Sequence, residues 1–313
     1  RIMQQAPDFQ LIVDRIKETA RTRPDHIAFM QDGRTLSYGA LGRLIDRISA
    51  ALQRDGVPQR EAVAICAATS IEYAALVLGA RSVGGVPAPL APSSTPEQLV
   101  GMVKDSGARL LFLDATTAQS LTGAGGVTRI SLDGFAADRA FADWLAPEGA
   151  KPQPVEIAPT DPFNMIYSSG TTGLPKGIVQ SHRMRWGHVM RAKDYLYDET
   201  AITLLSTPLY SNTTLVSFFP TLSGGGTVAL MQKFNARAFL ETAQKIRATH
   251  AMLVPVQYQR IMSDPDFDTF DLSSFRMKSC TSAPFSAELK ADVLKRWPGG
   301  LVEVYGMTEG GGS

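Results

Sequence analysis

Between residues 62 and 114 short apolar runs alternate with segments of helical spacing, and no other feature restricts the fold so strongly. The runs AVAIC (62–66), GGVPAPL (84–90) and RLLFLD (109–114) are separated by helical patterns over 71–82 and 96–106. Strands joined by helices of that length form right-handed βαβ units in a parallel sheet. A second alternation places strands at 163–169, 203–209, 227–231, 251–256, 276–282 and 301–307, with helices over 181–195, 236–249 and 287–297. The expected class is therefore α/β, with two βαβ-type sheets in subdomains 1–160 and 161–313. Ahead of the first sheet come an amphipathic helix over 11–22, a hairpin of 28–30 and 35–38 turned at Asp32-Gly33, and a helix over 38–55. Residues 117–159 are rich in Ala, Gly and Pro and read as a surface crossing between two lobes.

Composition narrows the function classes. The chain has 313 residues, 44% of them hydrophobic, enough for a substantial core. Lys plus Arg number 31 against 30 Asp plus Glu, for a net charge of +1, which argues against a nucleic-acid partner. Cys66 and Cys280 match neither a disulfide framework nor a zinc spacing, and read as reduced buried thiols. His26, His182, His188 and His250 are scattered, so no histidine metal cage is expected. The start RIMQQAPDFQ lacks an apolar signal core, making a cytoplasmic location the default expectation. Residues 200–232 carry no charge, but Pro208, Pro220 and Gly224 to Gly226 interrupt any spanning helix. That segment reads as a buried region with a pocket, not a membrane span.

The stretch YSSGTTGLPKG (167–177) has the ingredients of a phosphate loop: glycines that let backbone N–H groups approach an anion, hydroxyls, and one lysine. It is not a Walker loop, because Pro175 stands where that spacing requires glycine before the lysine. On its own chemistry a Ser/Thr/Gly stretch with one lysine is equally a surface turn. A strand ahead of it and a helix expected from about residue 181 put it where α/β sheets bind ligands.

Further segments bear on that choice. YSSGTTGLPKG meets every fixed position of the pattern [YF]-[TS]-S-G-[ST]-T-G-x-P-K-G, VYGMTEGG (304–311) contains YGxTE, and SAPFS (282–286) supplies a small-residue Ala-Pro loop. TLSYGALGRLIDRISAAL and GARSVGGVPAPLAPSSTPEQL fit upstream segments of the same pattern set. The chain thus resembles the adenylate-forming (AMP-binding) enzyme superfamily, of the acyl-CoA synthetase or ligase type, over nearly its whole length. The resemblance implies the large N-terminal domain of such enzymes, a layered αβαβα sandwich. It also implies that a β-rich subdomain and a C-terminal lid with a second lysine lie outside these residues. The ending GGGS resembles a linker, so Gly311 to Ser313 carry little weight.

The same resemblance assigns roles. Ser168, Ser169, Gly170, Thr171, Thr172, Gly173 and Lys176 would follow the β and γ phosphates of ATP. Ser282, Ala283 and Pro284 would line adenine, with Tyr305 stacked on it and Gly306 allowing close approach. Thr308 would contact phosphate and Glu309 would hold Mg²⁺, so that Lys176, Thr308 and Glu309 form the catalytic set. His182 would support the loop. TPLYSNTTL (207–215) lies where relatives read P-[LM]-[FY]-H, with Ser211 and Asn212 in place of histidine. Candidate walls of the acyl pocket are Tyr210, Ser211, Asn212, Leu215, Val216, Val256, Cys280 and Thr281. The implied activity is activation of a fatty or aromatic carboxylic acid by ATP to an acyl-adenylate, then thioester formation with CoA. The partners are small molecules, and a homodimer is compatible with this reading. A peptide-synthetase adenylation domain and a non-catalytic nucleotide-binding module are the alternatives.

Overall fold

The computed structural model describes residues 8–135, 137–167, 177–281 and 284–304. In chain order it opens with α1 (Ile12–Thr22), the strands β1 (Ile27–Gln31) and β2 (Arg34–Ser37), and α2 (Tyr38–Arg54). Next come β3 (Ala62–Cys66), α3 (Ile71–Ser82), β4 (Val86–Pro89), α4 (Pro96–Ser106), β5 (Leu110–Leu113), β6 (Thr128–Ser131), β7 (Arg139–Ala140) and α5 (Phe141–Trp144). The remainder comprises β8 (Pro162–Tyr167), β9 (Gly177–Ser181), α6 (His182–Arg191), β10 (Ile202–Leu205), α7 (Asn212–Ser223), β11 (Thr227–Leu230), α8 (Ala236–Ile246), β12 (His250–Leu253), α9 (Pro255–Met262), β13 (Met277–Thr281), α10 (Ala287–Arg296) and β14 (Gly300–Val304).

Two units divide the chain: residues 1–24 with 38–186, and residues 25–37 with 187–313. This division differs from the sequence expectation of a single boundary at 160/161. The β1–β2 hairpin lies in the second unit because β1 pairs in parallel with β11, across 200 residues of chain, where Thr227 Oγ1 donates to the Ile27 carbonyl. Asp32 and Gly33 both have positive φ, 50° and 78°, as a two-residue hairpin turn that matches the strand twist requires.

In the first unit the strands run in the order β4-β3-β5-β6-β7, all parallel. Local chemistry sets its helix ends. Thr95 and Gln98 form a reciprocal capping box at α4, Pro96 occupies the first turn, and Gly107 closes the helix at φ 71°. Ser70 accepts the Tyr73 N–H at the start of α3. Helices α2 and α3 touch so closely at Gly79 that a Cβ there would lie 2.5 Å from Ile48 Cγ2. Ser49 Oγ also donates to the Gly79 carbonyl at 2.7 Å.

The expectation that 117–159 crosses between lobes is corrected. Residues 128–131 and 139–140 extend the first sheet, and 144–156 are pinned along the end of α2. Trp144 is fully buried, stacks edge-on against Phe112 and donates its indole N–H to Asp55 Oδ2 at 2.7 Å. Arg47 and Gln53 hold the Ala146 and Gln153 carbonyls. These strands are too short for alternation to show, and their partners lie elsewhere in the chain.

The second unit carries a seven-stranded sheet, β14-β13-β12-β10-β11-β1-β2, parallel except for the edge strand β2. On one face α8, α9 and α10 enclose a core around Trp297, with Phe239, Leu240, Tyr258, Phe267 and Val293. Against β10, β11 and β12 lies α7, a buried helix absent from the sequence reading. It was invisible because it is enclosed nearly all round, so it lacks an amphipathic period, and its Thr, Ser and Pro residues are poor helix formers. Three of its hydroxyls are paired within the core: Thr221 with Thr203 at 2.6 Å, Thr214 with Thr207 at 2.5 Å, and Ser217 with Tyr197 at 2.8 Å. This pairing lets so polar an uncharged stretch lie in a core. No helix among the described residues is long and apolar enough to cross a membrane.

His250 makes this unit acid-sensitive. Its ring is wholly buried, stacked on Tyr197 with centroids 4.2 Å apart, and its Nε2–H donates to the Tyr195 carbonyl while Nδ1 accepts from Thr249. Burial pushes its pKa down to about 4, from 6.5. The unfolded chain therefore binds more protons between those values, so stability falls as pH drops from 6.5 towards 4. Going from pH 7 to pH 5 should remove about 2 kcal/mol through this group. Urea midpoints at the two pH values check this. His250→Gln should lose clearly less between them, and an unchanged pH dependence in that variant rules the residue out.

Candidate active site

Residues 168–176, 282–283 and 305–313 lie outside the described residues. The positions of Ser168, Ser169, Gly170, Thr171, Thr172, Gly173, Lys176, Ser282, Ala283, Tyr305, Gly306, Thr308 and Glu309 are therefore not given by the structure. The residues that frame them are.

Both ends of YSSGTTGLPKG are described. Residues 177–181 are a further strand leading into the expected helix, and β9 pairs antiparallel with β8 so that Tyr167 faces Gly177. The nine residues between them thus join two paired strands. Gly177 has a packing reason to be glycine: a Cβ there would lie 2.9 Å from Met165 and 3.3 Å from the Tyr167 ring. The Tyr167 hydroxyl donates to Asp105 Oδ2 on α4 at 2.7 Å, which fixes the root of the hairpin on the first unit. Asp105 had no sequence signal, lying 62 residues from its partner.

His182 begins α6 directly after β9. It is 4% exposed, its backbone N–H donates to the Asp161 carbonyl, and its ring meets Phe163 edge-on. Burial, and then the charge of Arg81, bring its pKa down to about 4, so it is neutral at physiological pH. Arg81 donates from Nε to the Phe163 carbonyl at 3.0 Å and lies 3.9 Å from the Phe163 ring centre. Arg81 and His182 thereby pack around the same residue of β8.

In the second unit the elements leading to the other two motifs end side by side. Thr281, the last residue of β13, pairs with Val304, the last of β14. Both strands end at the carboxyl edge of a parallel sheet, where α/β folds take ligands. Parallel neighbours lie about 4.8 Å apart, so the two strands end close together. Pro284 is exposed ahead of α10, whose Ser286 cap accepts the Leu289 N–H.

The candidate acyl-pocket residues separate into groups. Tyr210 and Ser211 are half-buried in the turn after β10, Asn212 opens α7 at 7% exposure, and Leu215 and Val216 follow one turn on. Thr281 Oγ1 donates to Thr213 Oγ1 at 2.9 Å, joining the end of β13 to the start of α7. Cys280 points to the opposite face, as strand alternation requires, and lies in the core with Tyr258, Val293 and Trp297. Burial raises its thiol to about 12. Val256, the second residue of α9, is 49% exposed. The strand expected over 251–256 is present as β12 but ends at Leu253, because Pro255 starts a helix, its fixed φ suiting the first turn. Among the described residues no group of three or more His, Cys, Asp or Glu could hold a metal.

Comparison with known proteins agrees with this architecture. The profile of the AMP-binding enzyme family matches residues 16–313. The chain is 30% identical over 292 residues to 4-coumarate–CoA ligase 3 of Arabidopsis thaliana, covering 89% of this chain and 52% of the relative. It is 31% identical over 298 residues to a feruloyl-CoA synthase of Amycolatopsis sp, covering 93% and 58%. It is 28% identical over 314 residues to the fatty acid–[acyl-carrier-protein] ligase ScoC of Streptomyces coeruleorubidus, covering 97% and 60%. The chain thus spans about half to three fifths of the length of these relatives. Among solved structures, a luciferase-like enzyme from the mealworm Zophobas morio superposes with a TM-score of 0.88 at 23% identity, over 98% of this chain and 75% of that one. The inhibitor-bound N-terminal domain of FACL13 from Mycobacterium tuberculosis gives 0.86 at 23% identity, over 96% and 76%. The fold is that of the N-terminal domain of acyl-CoA synthetase-like enzymes, and the chain belongs to the AMP-binding enzyme family.

Proposed function

We propose that the protein containing this chain condenses a carboxylic acid with ATP to an acyl-adenylate, releasing pyrophosphate, and then passes the acyl group to the thiol of CoA. The observation that carries this reading is the YSSGTTGLPKG motif, rooted at Tyr167 and Gly177, in a chain whose family profile spans 16–313. Residues 168–176 are assigned to the phosphates, 282–284 to adenine, and 305–309 to adenine and phosphate.

The attacking carboxylate is already ionised at neutral pH, so no general base is required. The protein's part is to hold that carboxylate in line with the α-phosphate and to offset charge on departing pyrophosphate, a role given to Lys176. The neutral, buried His182 fits support of the hairpin rather than proton transfer. Mg²⁺ favours one or two carboxylates beside substrate phosphates, and Glu309 has the hard oxygen donors for it. When bound, the ion would supply charge neutralisation at those phosphates.

Acid-dependent exchange of labelled pyrophosphate into ATP by the full-length protein tests the reading. Exchange is expected with an aromatic or fatty acid, and its absence across broad panels of both overturns the proposal. Two of the named relatives take hydroxycinnamate-type acids by their names and one takes fatty acids, which motivates those panels. A second reading replaces CoA by an acyl-carrier thiol, as the name of ScoC suggests. Assaying both thiols with the activated acid distinguishes them. A peptide-synthetase role is disfavoured because no aspartate lies between residues 209 and 231 to grip an amino group.

A further inference from the structure

The second unit contains a cavity of about 510 Å³ that none of the assigned roles uses. Its size falls in the range of small-molecule sites, roughly 300 to 1,000 Å³. It lies between the β1–β2 turn, the carboxyl end of β11 and the inner side of α8. Its floor is apolar, with Leu204 and Ala229 buried and Ile246 half-buried. The polar part of its wall is unbalanced: Arg34, Lys233 and Lys245 line it against the single acid Asp32. All four are exposed, and neither Lys233 nor Lys245 forms an ion pair among the described residues.

The cavity is separate from the adenylation motifs by position and by face. It rests on β10, β11 and β1, whereas the strands leading to residues 282 and 305 are β13 and β14, beyond β12. From β11 to β13 there are three strand spacings, about 14 Å. Leu204 belongs to the core under α8, while its neighbour Thr203 points the other way, to Thr221 of α7. The sheet itself therefore stands between the cavity and the helix whose first turn holds Asn212.

An apolar floor beneath a ring with two excess positive charges fits one class of ligand. We propose that this cavity binds a small amphipathic organic anion, its carboxylate, sulfonate or phosphate held by Lys233, Lys245 and Arg34 and its apolar body against Leu204, Ala229 and Ile246. It is a second site, independent of acid activation at the carboxyl edge of β13 and β14.

The test uses 8-anilinonaphthalene-1-sulfonate as the probe, titrated by fluorescence into the full-length protein without ATP. The double variant Lys233→Glu/Lys245→Glu should weaken a saturable binding phase by about tenfold or more, since it reverses two charges beside the anion. Thr242→Trp, which places an indole into the cavity from α8, should abolish that phase. Lys295→Glu on α10, remote from the cavity, should leave it unchanged. Pyrophosphate exchange should persist in all three variants, which separates this site from the adenylation reading. If Thr242→Trp melts early, the charge variant decides alone. Unchanged affinity in the lysine double variant, or an equal loss in Lys295→Glu, overturns the proposal.

Discussion

Trp297→Ala should lower the stability of the second unit by about 3 to 5 kcal/mol, the cost of emptying a large aromatic site in a closed core. Trp297 is 1% exposed and its ring centre lies 5.2 to 6.0 Å from those of Phe275, Tyr258, Phe239 and Phe267. These rings come from α8, α9 and the segment before β13, so no single neighbour can collapse into the space. Lys278 lies 5.3 Å from the ring, its ammonium donating to the carbonyls of Trp297, Pro298, Gly299 and Gly300. Removing the indole would loosen that turn as well. Trp297→Phe should cost far less, because the indole Nε1–H is buried without an acceptor among the described residues and its loss offsets part of the lost area. Urea midpoints of both variants measure this. A cost below 1 kcal/mol for the alanine variant would show that the core is centred elsewhere.

Lys176→Ala, made in the full-length protein, should reduce acid-dependent pyrophosphate exchange by about 10² to 10³, the range for one preorganised group facing developing negative charge. Its melting temperature should stay near that of the parent, because the hairpin is held at its root by Tyr167, Gly177 and Asp105. Unaltered exchange kinetics would remove Lys176 from the proposed mechanism. Tyr167→Phe makes a useful contrast. It keeps the ring over Gly177 and loses the bond to Asp105, so any loss of exchange should be much smaller than that of Lys176→Ala.

What could be read from the sequence followed the range of the forces involved. Residues 62–66 and 71–82 emerge as β3 and α3 with their expected bounds, because their apolar periods and the Ser70 cap are local. Family membership was equally legible, since the motifs at 167–177, 282–286 and 304–309 combine particular residue types at fixed spacing, and the family profile matches residues 16–313. The free, buried state of Cys66 and Cys280 also agrees with their isolation in the chain.

Tertiary structure decided the rest, where partners are distant or burial erases the pattern. Helix α7 has no polar face to reveal it, and only its pairing with Thr203, Thr207 and Tyr197 makes its hydroxyls tolerable in a core. Strands β6 and β7 exist because β5 offers them an edge, and β1 joins the second sheet because β11, far along the chain, completes its hydrogen bonds. Cys280 and Thr281 are adjacent in sequence yet face opposite sides of the sheet, one in the Trp297 core and one on α7. By itself the sequence determined the parallel α/β class and the family, because helix periods, caps and motif spacing act over a few residues. Which residues share a face, a strand edge or a cavity was settled by long-range pairing, which no local pattern encodes.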